Sequence, residues 1–477
     1  MNILNLTIWE ATELIKRKEV SSVEITEQLI TEINNKDKEL HSYISVNPHA
    51  VEEAKEMDEK IAKGEDPGAL AGIPVAVKDN ICVKGMPTTC ASKMLENFYS
   101  PYNATVIEKI KEEGAIVLGK TNMDEFAFGS STENSIFGST RNPFDLQRVP
   151  GGSSGGSAAA VSARLCFSAL GSDSGGSVRQ PAAFCGVVGL KPTYGRVSRY
   201  GLVATASSLD QIGFFTKDVR DAAIMMNVVS GQDEKDSTSV DIDVPDYTTF
   251  LDKDAKNLKI GIPDKDLVSD IDSRIKERVA ESIEKLRDAG MTVKTIPLPH
   301  AEYGMAVYNI LVSAESLSNL ARFDGVKYGF RSEDYTELYQ MYANTRGAGL
   351  GPEVKRRIML GACMLSVDYY EPFYLKAKKI RTLIKKDFTE AFKEVDVIIT
   401  PTTTELPFRF GEKSEPLKMY LSDIFTANVN LAGLPAVSIP AGFIDKLPVG
   451  LQIIAPHFRE DRIIGMASFI ERCLKGG

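Results

Sequence analysis

The sequence contains little cysteine, histidine and tryptophan, and these shortages exclude several classes of protein. Six cysteines are scattered over 477 residues, and no two of them are spaced as Cys-x-x-Cys. This pattern argues against a disulfide scaffold, a zinc ribbon and a thioredoxin-like motif. All four histidines lie outside the Gly/Ser-rich stretches, so a Ser-His-Asp triad has no support in the sequence. We therefore predict free cysteines in a reducing compartment, and no metal site.

Two further absences concern membranes and nucleic acids. No apolar run approaches the roughly 18 residues that a membrane helix needs, and the first residues lack the basic and apolar regions of a signal peptide. Lysine and arginine together number 56 against 65 aspartates and glutamates, which gives a net charge of -9. This balance argues against strong non-specific binding of nucleic acid by the chain on its own. We expect a cytoplasmic protein that does not enter a membrane.

Alternating helix and strand signals predict one large α/β domain that spans residues 1–477. Two capping boxes, in which Thr or Ser is followed three residues later by Glu, begin at Thr7 and Ser21. They indicate an N-terminal helical segment, residues 1–65, packed on the rest. Beyond it, short apolar runs alternate with amphipathic runs, which predicts a mixed β-sheet covered by helices on both faces. We place the core of the domain at about residues 66–230.

The individual elements follow from the period of the apolar residues. The apolar runs predict strands at residues 72–80, 115–118, 165–170, 258–262, 291–296, 395–400 and 449–454. Helical periodicity predicts helices at residues 50–63, 105–113, 273–289, 308–323, 353–393 with a break at Pro372, and 461–474. Residues 230–254 are acidic and rich in turn formers, and we interpret them as a surface excursion.

Two Gly/Ser clusters, residues 151–157 and 171–177, have the composition of a flexible linker but not its context. The first runs directly into a small-residue helix pattern and an apolar strand pattern, whereas a tether is flanked by polar, disordered sequence. Glycine lets backbone N–H groups turn toward one point, and such donors stabilise an anionic tetrahedral intermediate. Two ordinary turns around a packed helix are the alternative. We favour part of an active site, because both clusters carry serines.

Residues 151–186, GGSSGGSAAAVSARLCFSALGSDSGGSVRQPAAFCG, resemble the signature of the amidase signature family. The upstream AGIPVAVKDN, residues 71–80, is similar to the lysine motif of that family. Three further stretches, residues 189–214, 353–361 and 419–443, narrow the resemblance to the glutamine-hydrolysing subunits of tRNA-dependent amidotransferases. The resemblance implies a single large mixed sheet with helices on both faces.

The resemblance also implies a Ser-cisSer-Lys catalytic unit. Carried over to this sequence, the lysine is Lys78, the bridging serine is Ser153 and the nucleophile is Ser177. The implied oxyanion hole consists of the backbone amides of Ser174, Gly175, Gly176 and Ser177. Members of the family usually carry threonine at the position of Ser174, and serine keeps both the hydroxyl and the backbone donor.

Lysine can act as the base only when its amine is neutral. The pKa of lysine in water is about 10.4, and burial lowers it by several units. The apolar residues 73–77 that precede Lys78 predict a desolvated amine. Asp79 would oppose this effect if it touched the amine, but neighbours on an extended strand point to opposite faces. Taken alone, Lys78 also fits a surface lysine at the end of a strand, and the paired serine clusters favour the catalytic role.

The substrate side of the site is predicted from the chemistry of glutamine. Free glutamine carries an α-carboxylate and an α-ammonium, so its recognition requires one fixed cation and one fixed anion. By resemblance these are Arg357 and Asp423, with Tyr308 lining the pocket. Surface ion pairs or positions on a helix face are the alternative interpretation of these residues.

The resemblance implies partners as well as chemistry. Glutamine would be hydrolysed through an acyl-enzyme, and the ammonia would pass to a partner subunit. That partner would bind ATP and Mg²⁺ and activate Glu on misacylated tRNA(Gln), or Asp on tRNA(Asn), while a small third subunit clamps the two. No cofactor is expected on this chain. A stand-alone amidase of the same family and a non-catalytic scaffold subunit are the alternatives, and the complete Lys/Ser/Ser set argues against the second.

Two other motifs have ordinary structural explanations. Residues 114–121 fit the P-loop pattern G-x-x-x-x-G-K-[ST]. The residues between the two glycines are themselves a predicted strand, so this stretch is not expected to wrap phosphate. A basic run at residues 376–386 lies on a predicted helix, where it can meet RNA or an acidic partner. We favour a solvated helix face for this run.

Overall fold

The computed structural model describes residues 3–253, 255–264 and 271–475, and in these ranges eleven strands form one β-sheet. In chain order the strands are β1 (Tyr43–Val46), β2 (Pro74–Lys78), β3 (Ile116–Thr121), β4 (Ser168–Asp173), β5 (Val188–Lys191), β6 (Gln211–Thr216), β7 (Lys259–Pro263), β8 (Thr292–Ile296), β9 (Val397–Pro401), β10 (Ala436–Ile444) and β11 (Leu447–Ile454). Their order across the sheet is β1-β3-β2-β4-β6-β5-β10-β11-β9-β7-β8.

The sheet is mixed, as the sequence predicts. Strand β2 runs parallel to β3 and β4, and β7 runs parallel to β8 and β9. The remaining neighbours are antiparallel. Every residue of β2, β3, β4 and β6 is buried. Successive side chains of a strand point to opposite faces, so both faces of this part of the sheet are covered. The predicted fold class is confirmed.

The α-helices that surround the sheet are also assigned in chain order. They are α1 (Ile8–Lys16), α2 (Ser22–Leu40), α3 (Ala50–Lys63), α4 (Thr105–Glu112), α5 (Gly155–Ser162), α6 (Arg179–Cys185), α7 (Val219–Val229), α8 (Ser273–Asp288), α9 (Gly304–Leu320), α10 (Leu338–Gly349), α11 (Pro352–Met364), α12 (Val367–Tyr369), α13 (Lys376–Ala391), α14 (Pro416–Tyr420), α15 (Ile424–Ala432) and α16 (Glu460–Lys475). None of the helices in the described ranges has the length and apolarity to cross a bilayer.

The N-terminal segment differs from the prediction in one respect. Both capping boxes are present. The hydroxyls of Thr7 and Ser21 accept from the backbone N–H of the glutamate three residues later, and the side chain of that glutamate accepts from the backbone N–H of the capping residue. Residues 1–65 are not only helical, however. They include β1, which pairs antiparallel with β3 at the edge of the sheet. The four residues of β1 are all partly exposed, and so short a strand carries too weak an apolar pattern to be predicted.

Other predicted elements are displaced for physical reasons. The helix at residues 353–393 breaks between α11 and α12, before Pro372, which lies inside the π-helical turn Tyr370–Leu375. Its wider turn accommodates a proline that an α-helix does not tolerate. Strand β4 continues to Asp173, three residues past the predicted end, so the second Gly/Ser cluster begins inside the sheet. Within residues 230–254, Tyr247–Phe250 forms a short 3-10 helix. Position 254 lies outside the described residues.

The P-loop-like stretch is a strand, as predicted. Gly119 and Lys120 lie within β3. The Lys120 side chain is fully buried and donates to the carbonyls of Ile81 at 2.8 Å and Pro87 at 2.9 Å. An ammonium enclosed in this way cannot reach a phosphate group. All six cysteines are free, also as predicted.

Candidate active site

The site begins at the edge of the sheet where β2 and β4 end side by side. Because the two strands are parallel, their carboxyl ends, Lys78 and Asp173, meet at the same edge. The two Gly/Ser clusters cross this edge, the first leading into α5 and the second into α6. The N–H of Ser154 donates to the carbonyl of Ser177 at 3.2 Å, which joins the two loops. The peptide bond between Gly152 and Ser153 is cis.

The Lys78 amine is enclosed by neutral oxygen atoms. Its Nζ lies 2.7 Å from Ser153 Oγ and 2.9 Å from Ser172 Oγ. The residue is fully buried, and this burial lowers the pKa of Lys78 from 10.5 to about 7. Buried carboxyls nearby, of which Asp124 is the strongest, act in the opposite direction. The amine is therefore neutral in a large fraction of molecules near pH 7, as a general base requires.

The neighbouring carboxylate is directed away from this amine. Asp79 forms a buried ion pair with Lys120, with Nζ 3.2 Å from Oδ1. Its other oxygen accepts from the N–H of Thr89 at 2.9 Å. Lys78 and Asp79 thus face opposite sides of the strand end, as the alternation of side chains predicts. Lys120, the lysine of the P-loop-like stretch, thus pairs with the carboxylate next to the base.

The nucleophile candidate faces a cavity of about 290 Å³. Ser177 lines this cavity together with Tyr308, Arg357 and Asp423. The structure therefore places four of the predicted site residues around the same cavity. Lys78 and Ser153 are fully buried behind Ser177. Within the described ranges no hydrogen bond joins the Ser177 hydroxyl to that of Ser153. Catalytic hydrogen bonds in unliganded sites are often long and tighten when substrate binds.

The predicted oxyanion donors differ in availability. The N–H of Gly176 donates to Asp173 Oδ1 at 2.8 Å, so this amide is engaged in the structure. The amides of Ser174, Gly175 and Ser177 have no hydrogen-bond partner among the residues that the structure describes. The Ser174 hydroxyl donates to Asp210 at 2.6 Å. Three of the four predicted donors remain free to bind an oxyanion.

Close approach of the backbone explains the two glycines of this loop. A Cβ on Gly175 would lie 2.4 Å from Cζ of Tyr308. Gly176 has a φ of +144°, and a Cβ there would lie 2.2 Å from Thr426 Oγ1. Any larger residue at either position would therefore displace the loop that carries Ser177.

The buried ion pair between Asp173 and Arg179 fixes the loop that carries Ser177. Both oxygens of Asp173 contact the Arg179 guanidinium, with N–O distances of 3.0 and 3.1 Å. Burial alone would raise the pKa of Asp173, but the Arg179 charge and its hydrogen bonds hold that pKa well below its usual range. Asp173 also accepts from the N–H of Val178 at 3.1 Å. The carboxylate thereby fixes the backbone on both sides of Ser177.

Removing this guanidinium is expected to destabilise the fold. Arg179→Met leaves the Asp173 carboxylate buried without its counterion, which costs about 3–5 kcal/mol of unfolding free energy. Urea unfolding of the two proteins measures this difference. Arg274→Met is the matched control, because Arg274 is half exposed and pairs with Asp272 on the surface, where such pairs contribute at most about 1 kcal/mol. Equal midpoints for the two variants would contradict the assignment.

Arg357 lies on α11 with part of its hydrogen-bonding capacity already used. Its Nε lies 2.9 Å from Glu353 Oε1, and its Nη1 donates to Asn309 Oδ1 at 2.6 Å. The guanidinium also stacks on the Tyr420 ring, 4.0 Å from the centroid. These contacts hold a nearly buried cation at the cavity wall, and its Nη2 has no partner among the described residues. A planar guanidinium held in this way suits a carboxylate ligand.

Asp423 provides the opposite charge, just before α15. One oxygen accepts from the Ser130 hydroxyl at 2.5 Å. The other, Oδ1, is buried and has no hydrogen-bond partner in the described part of the chain. Burial raises the pKa of Asp423 to about 7, and the Ser130 hydrogen bond acts against this rise. An unpaired buried carboxylate oxygen that lines a cavity is a natural acceptor for a ligand ammonium.

Sequence reasoning missed several residues that the structure adds to the site. Ser172 contacts the Lys78 amine, and Ser130 donates to Asp423. Asp124 accepts from the backbone at Thr132, and Asp210 accepts from the Ser174 hydroxyl in the second Gly/Ser cluster. Ser172 lies inside the stretch that resembles the family signature, and Asp124 lies three residues after the end of β3. The carboxylate of Asp124 accepts from the N–H of Thr132 at 2.9 Å, a contact that no sequence pattern specifies.

The basic run on α13 has a mixed role. Arg381 is partly buried and donates to the carbonyls of Leu431 and Ser208, both at 2.9 Å. The lysines of this run are exposed. Arg381 therefore joins the helix to the core, while the lysines are exposed on its outer side.

Comparison with known proteins agrees with this geometry. A family model described as Amidase matches residues 24–464. The A subunit of glutamyl-tRNA(Gln) amidotransferase from Persephonella marina is 56% identical over 469 residues, which cover 98% of this chain and 97% of that protein. The protein of the same name from Carboxydothermus hydrogenoformans is 55% identical over 474 residues, covering 99% of this chain and 98% of that one.

Solved structures extend the comparison to the fold. The crystal structure of the A subunit of glutamyl-tRNA(Gln) amidotransferase from Thermotoga maritima has a TM-score of 0.83 and 44% identity, and covers 99% of this chain and 95% of that chain. A bacterial aryl acylamidase of the amidase signature family has a TM-score of 0.86 and 26% identity, with coverage of 99% and 97%. Because the family model matches residues 24–464 and the relatives are more than half identical over nearly the whole chain, the chain belongs to the amidase signature family.

Proposed function

We propose that this chain is the glutamine-hydrolysing subunit of a tRNA-dependent amidotransferase. One observation carries the proposal. A serine that is backed by a buried amine faces a cavity whose wall also holds a cation, Arg357, and a carboxylate, Asp423. The name of the relatives that are more than half identical over nearly their whole length supports the same function.

The chemistry is acyl transfer through Ser177. Its hydroxyl attacks the side-chain amide carbon of glutamine, while its proton passes to Ser153 and the Ser153 proton passes to Lys78. The Oγ–C bond forms and the carbonyl electron pair becomes an oxyanion, which the free amides of the second Gly/Ser cluster can stabilise. The proton then returns from Lys78 to the leaving nitrogen, the C–N bond breaks, and ammonia is released. Water hydrolyses the acyl-enzyme to glutamate by the same route.

The two charges of the cavity recognise the amino-acid end of glutamine. Arg357 binds the α-carboxylate, and the unpaired Oδ1 of Asp423 accepts from the α-ammonium. Tyr308 packs against Gly175 and closes the pocket beside the nucleophile. Burial raises the pKa of Tyr308, so its hydroxyl stays neutral and can donate. A cavity of this size is small, which favours a free amino acid over a peptide.

The ammonia serves a reaction that takes place on a partner. In the proposal, a second subunit uses ATP and Mg²⁺ to activate the carboxylate of misacylated tRNA, and a small third subunit clamps the complex. The product is Gln-tRNA(Gln), or Asn-tRNA(Asn) when the tRNA carries Asp. The complex works in the cytoplasm, and this chain binds no cofactor of its own.

The substrate clamp gives the first test of this function. Arg357→Ala and Asp423→Ala are each expected to raise KM for glutamine by about 10- to 100-fold with a modest change in kcat, because each removes a charged hydrogen bond to a group that does not react. Ammonia release measured against glutamine concentration checks this. Arg356→Ala is the control, since this neighbouring arginine lines the cavity with a half-exposed side chain.

The same assay separates the proposal from a stand-alone amidase. Unchanged KM values in both clamp variants, together with faster hydrolysis of simple aliphatic or aryl amides than of glutamine, would show an amidase of other specificity. A higher KM for glutamine in Arg357→Ala and Asp423→Ala, with an unchanged KM in the control Arg356→Ala, would support the proposed function.

A further inference from the structure

We propose that Ser172 is a further member of the catalytic unit, which stabilises the ammonium form of Lys78 while that lysine holds the proton of the nucleophile. The inference rests on the function proposed above only in that Lys78 acts as a base for Ser177. Ser172 lies one residue before the end of β4, and both its hydroxyl and its carbonyl face the amine. The distances from Nζ are 2.9 Å to Oγ and 3.4 Å to the carbonyl oxygen.

The main support for this role of Ser172 is the number of hydrogen-bond acceptors around the Lys78 amine. A neutral lysine amine has two N–H donors and one lone pair, whereas the ammonium has three donors and no lone pair. In the described ranges three oxygens lie within hydrogen-bond distance of Nζ, namely Ser153 Oγ, Ser172 Oγ and the Ser172 carbonyl. This set matches the three donors of the protonated amine, and Ser172 supplies two of the three acceptors.

The lengths of the two strands explain why Ser172 reaches the amine. In the parallel pair, Val77 lies opposite Leu170. Strand β2 ends at Lys78, whereas β4 continues to Asp173, so Ser172 lies beside the point where β2 ends. Asn80, which follows this end, donates from Nδ2 to Ser172 Oγ at 2.9 Å. The asparagine therefore holds the hydroxyl beside the amine.

No stronger acceptor is in contact with the amine. The charged or titratable groups that face Lys78 are Asp124, Asp173, Asp210 and Cys90, and Asp79 with Lys120 lies behind the strand. Among the described residues none of the carboxylates is within ion-pair distance of the Lys78 amine. The Ser172 carbonyl also accepts from Ser154 Oγ at 3.1 Å, and a carbonyl oxygen has a second lone pair for the amine. The positive charge that forms on Lys78 is thus met mainly by the oxygens of Ser172 and Ser153.

These contacts act during a defined interval of the reaction. As the Ser177 Oγ–C bond forms, Lys78 gains a proton and a positive charge, and it loses both when the proton passes back to the leaving nitrogen. Between these events the Ser172 oxygens stabilise the ammonium, which lowers the barrier to acylation. When the amine is neutral, before it takes up the proton, the same oxygens can accept its two N–H groups.

Ser172→Ala tests the proposal through the pH profile. The ammonium loses one acceptor, so the acid limb of the rate is expected to move to lower pH by about one unit. The plateau rate is expected to fall by about 10- to 100-fold because the base is weaker. The measurement is the rate at which a fluorophosphonate probe labels Ser177 in the full-length chain, followed from acid to alkaline pH. In this reaction an Oγ–P bond forms and fluoride leaves, so glutamine is not needed.

Two matched variants separate this role from packing. Ser157→Ala removes another buried hydroxyl, which donates to the Leu170 carbonyl of the same strand at 2.9 Å, and is expected to leave the acid limb unmoved. Ser172→Thr keeps a hydroxyl acceptor at this position. The acid limb of its labelling rate is expected at the same pH as in the wild type. If Ser172→Ala does not fold, Asn80→Ala should move the limb in the same direction by a smaller amount.

The possible results are distinguishable. An acid limb of Ser172→Ala that stays in place, or that moves to higher pH, would overturn the proposal. A wild-type chain that is labelled with the expected profile but does not hydrolyse glutamine would overturn the proposed function and leave the role of Ser172 supported.

Discussion

Glutamine hydrolysis is expected to fall by at least about 10⁴-fold when Ser177 is replaced by alanine, because Ser177 is the proposed nucleophile that forms the acyl-enzyme. The hydroxyl faces the cavity and makes no hydrogen bond within the described ranges that the fold would lose. The variant is therefore expected to unfold at the same urea concentration as the wild type. Ser414→Ala is the control, since this serine lines the same cavity and is expected to leave the rate nearly unchanged.

The same variant also tests the proposed partnership. Combined with the companion subunits, ATP and misacylated tRNA, Ser177→Ala should lose amide transfer from glutamine and keep transfer from added ammonium chloride. In the proposal, the ammonia reacts at a site on the partner that does not include this serine. Retained glutamine hydrolysis in the variant would show that another residue is the nucleophile. Loss of transfer from both nitrogen sources would show a structural defect in the complex.

Replacing Lys78 by methionine is expected to lower kcat by a comparable factor, about 10⁴-fold, because Ser177 then has no base. Combining this change with Ser177→Ala should cost little more than either change alone, since residues that act as one unit are not additive. Methionine is apolar and unbranched, so it suits the buried position. Lys84→Met, a change at an exposed lysine of the following loop, is the control.

The pH profile of the wild type follows from the same residue. The base works when deprotonated, so kcat is expected to rise through pH 7 with the pKa of Lys78 and to be lost below it. Asp423, whose pKa is also about 7, must be ionised to bind the ammonium of glutamine. Its protonation at lower pH is therefore expected to raise KM rather than to change kcat. Lys78→Arg should be inactive at every pH, because arginine stays charged. A kcat that does not depend on pH around neutrality would contradict a lysine base.

The candidate catalytic residues were predictable because two dense local motifs carry them. Ser153 and Ser177 lie in one stretch of 36 residues, and Lys78 ends a short apolar run. Both signals depend on composition over a few positions, which a sequence displays directly. The burial of Lys78 was predicted from the apolar residues that precede it, and in the structure the residue is fully buried.

The clamp was less accessible to sequence reasoning. Tyr308, Arg357 and Asp423 come from α9, α11 and the turn before α15, and only the fold brings them to one cavity. Nothing in their local sequence distinguishes them from surface ion pairs. Resemblance alone suggested them, and their effect on glutamine binding stays a prediction.

Ser172 illustrates a different limit. The stretch from 171 to 177 contains three serines, and composition does not say which of them faces the amine. The ends of the two strands decide this, because β2 stops at Lys78 while β4 runs on past Ser172, and the Ser174 hydroxyl donates to Asp210 instead. Pairing between strands that are distant in the chain is a tertiary property.

The sequence analysis missed four strands, β1, β5, β6 and β10, and for three of them the cause is clear. Strands β5 and β6 are buried along their whole length, so they show no alternation of apolar and polar residues. Strand β1 has the opposite problem, since it is short and half exposed at the sheet edge. In both cases the neighbours in the sheet, rather than the local pattern, make the strand.

By itself the sequence determined the class of fold, the family and the three candidate residues of the catalytic unit, because periodicity and compact motifs are local properties of a chain. Only the tertiary structure decided how acidic and basic groups are distributed around them. It directs Asp79 toward Lys120, leaves Lys78 among neutral oxygens and leaves one oxygen of Asp423 unpaired within the described ranges. Charge and desolvation act through space, so the ionisation of a lysine is set by the groups that the fold places within a few ångströms of it.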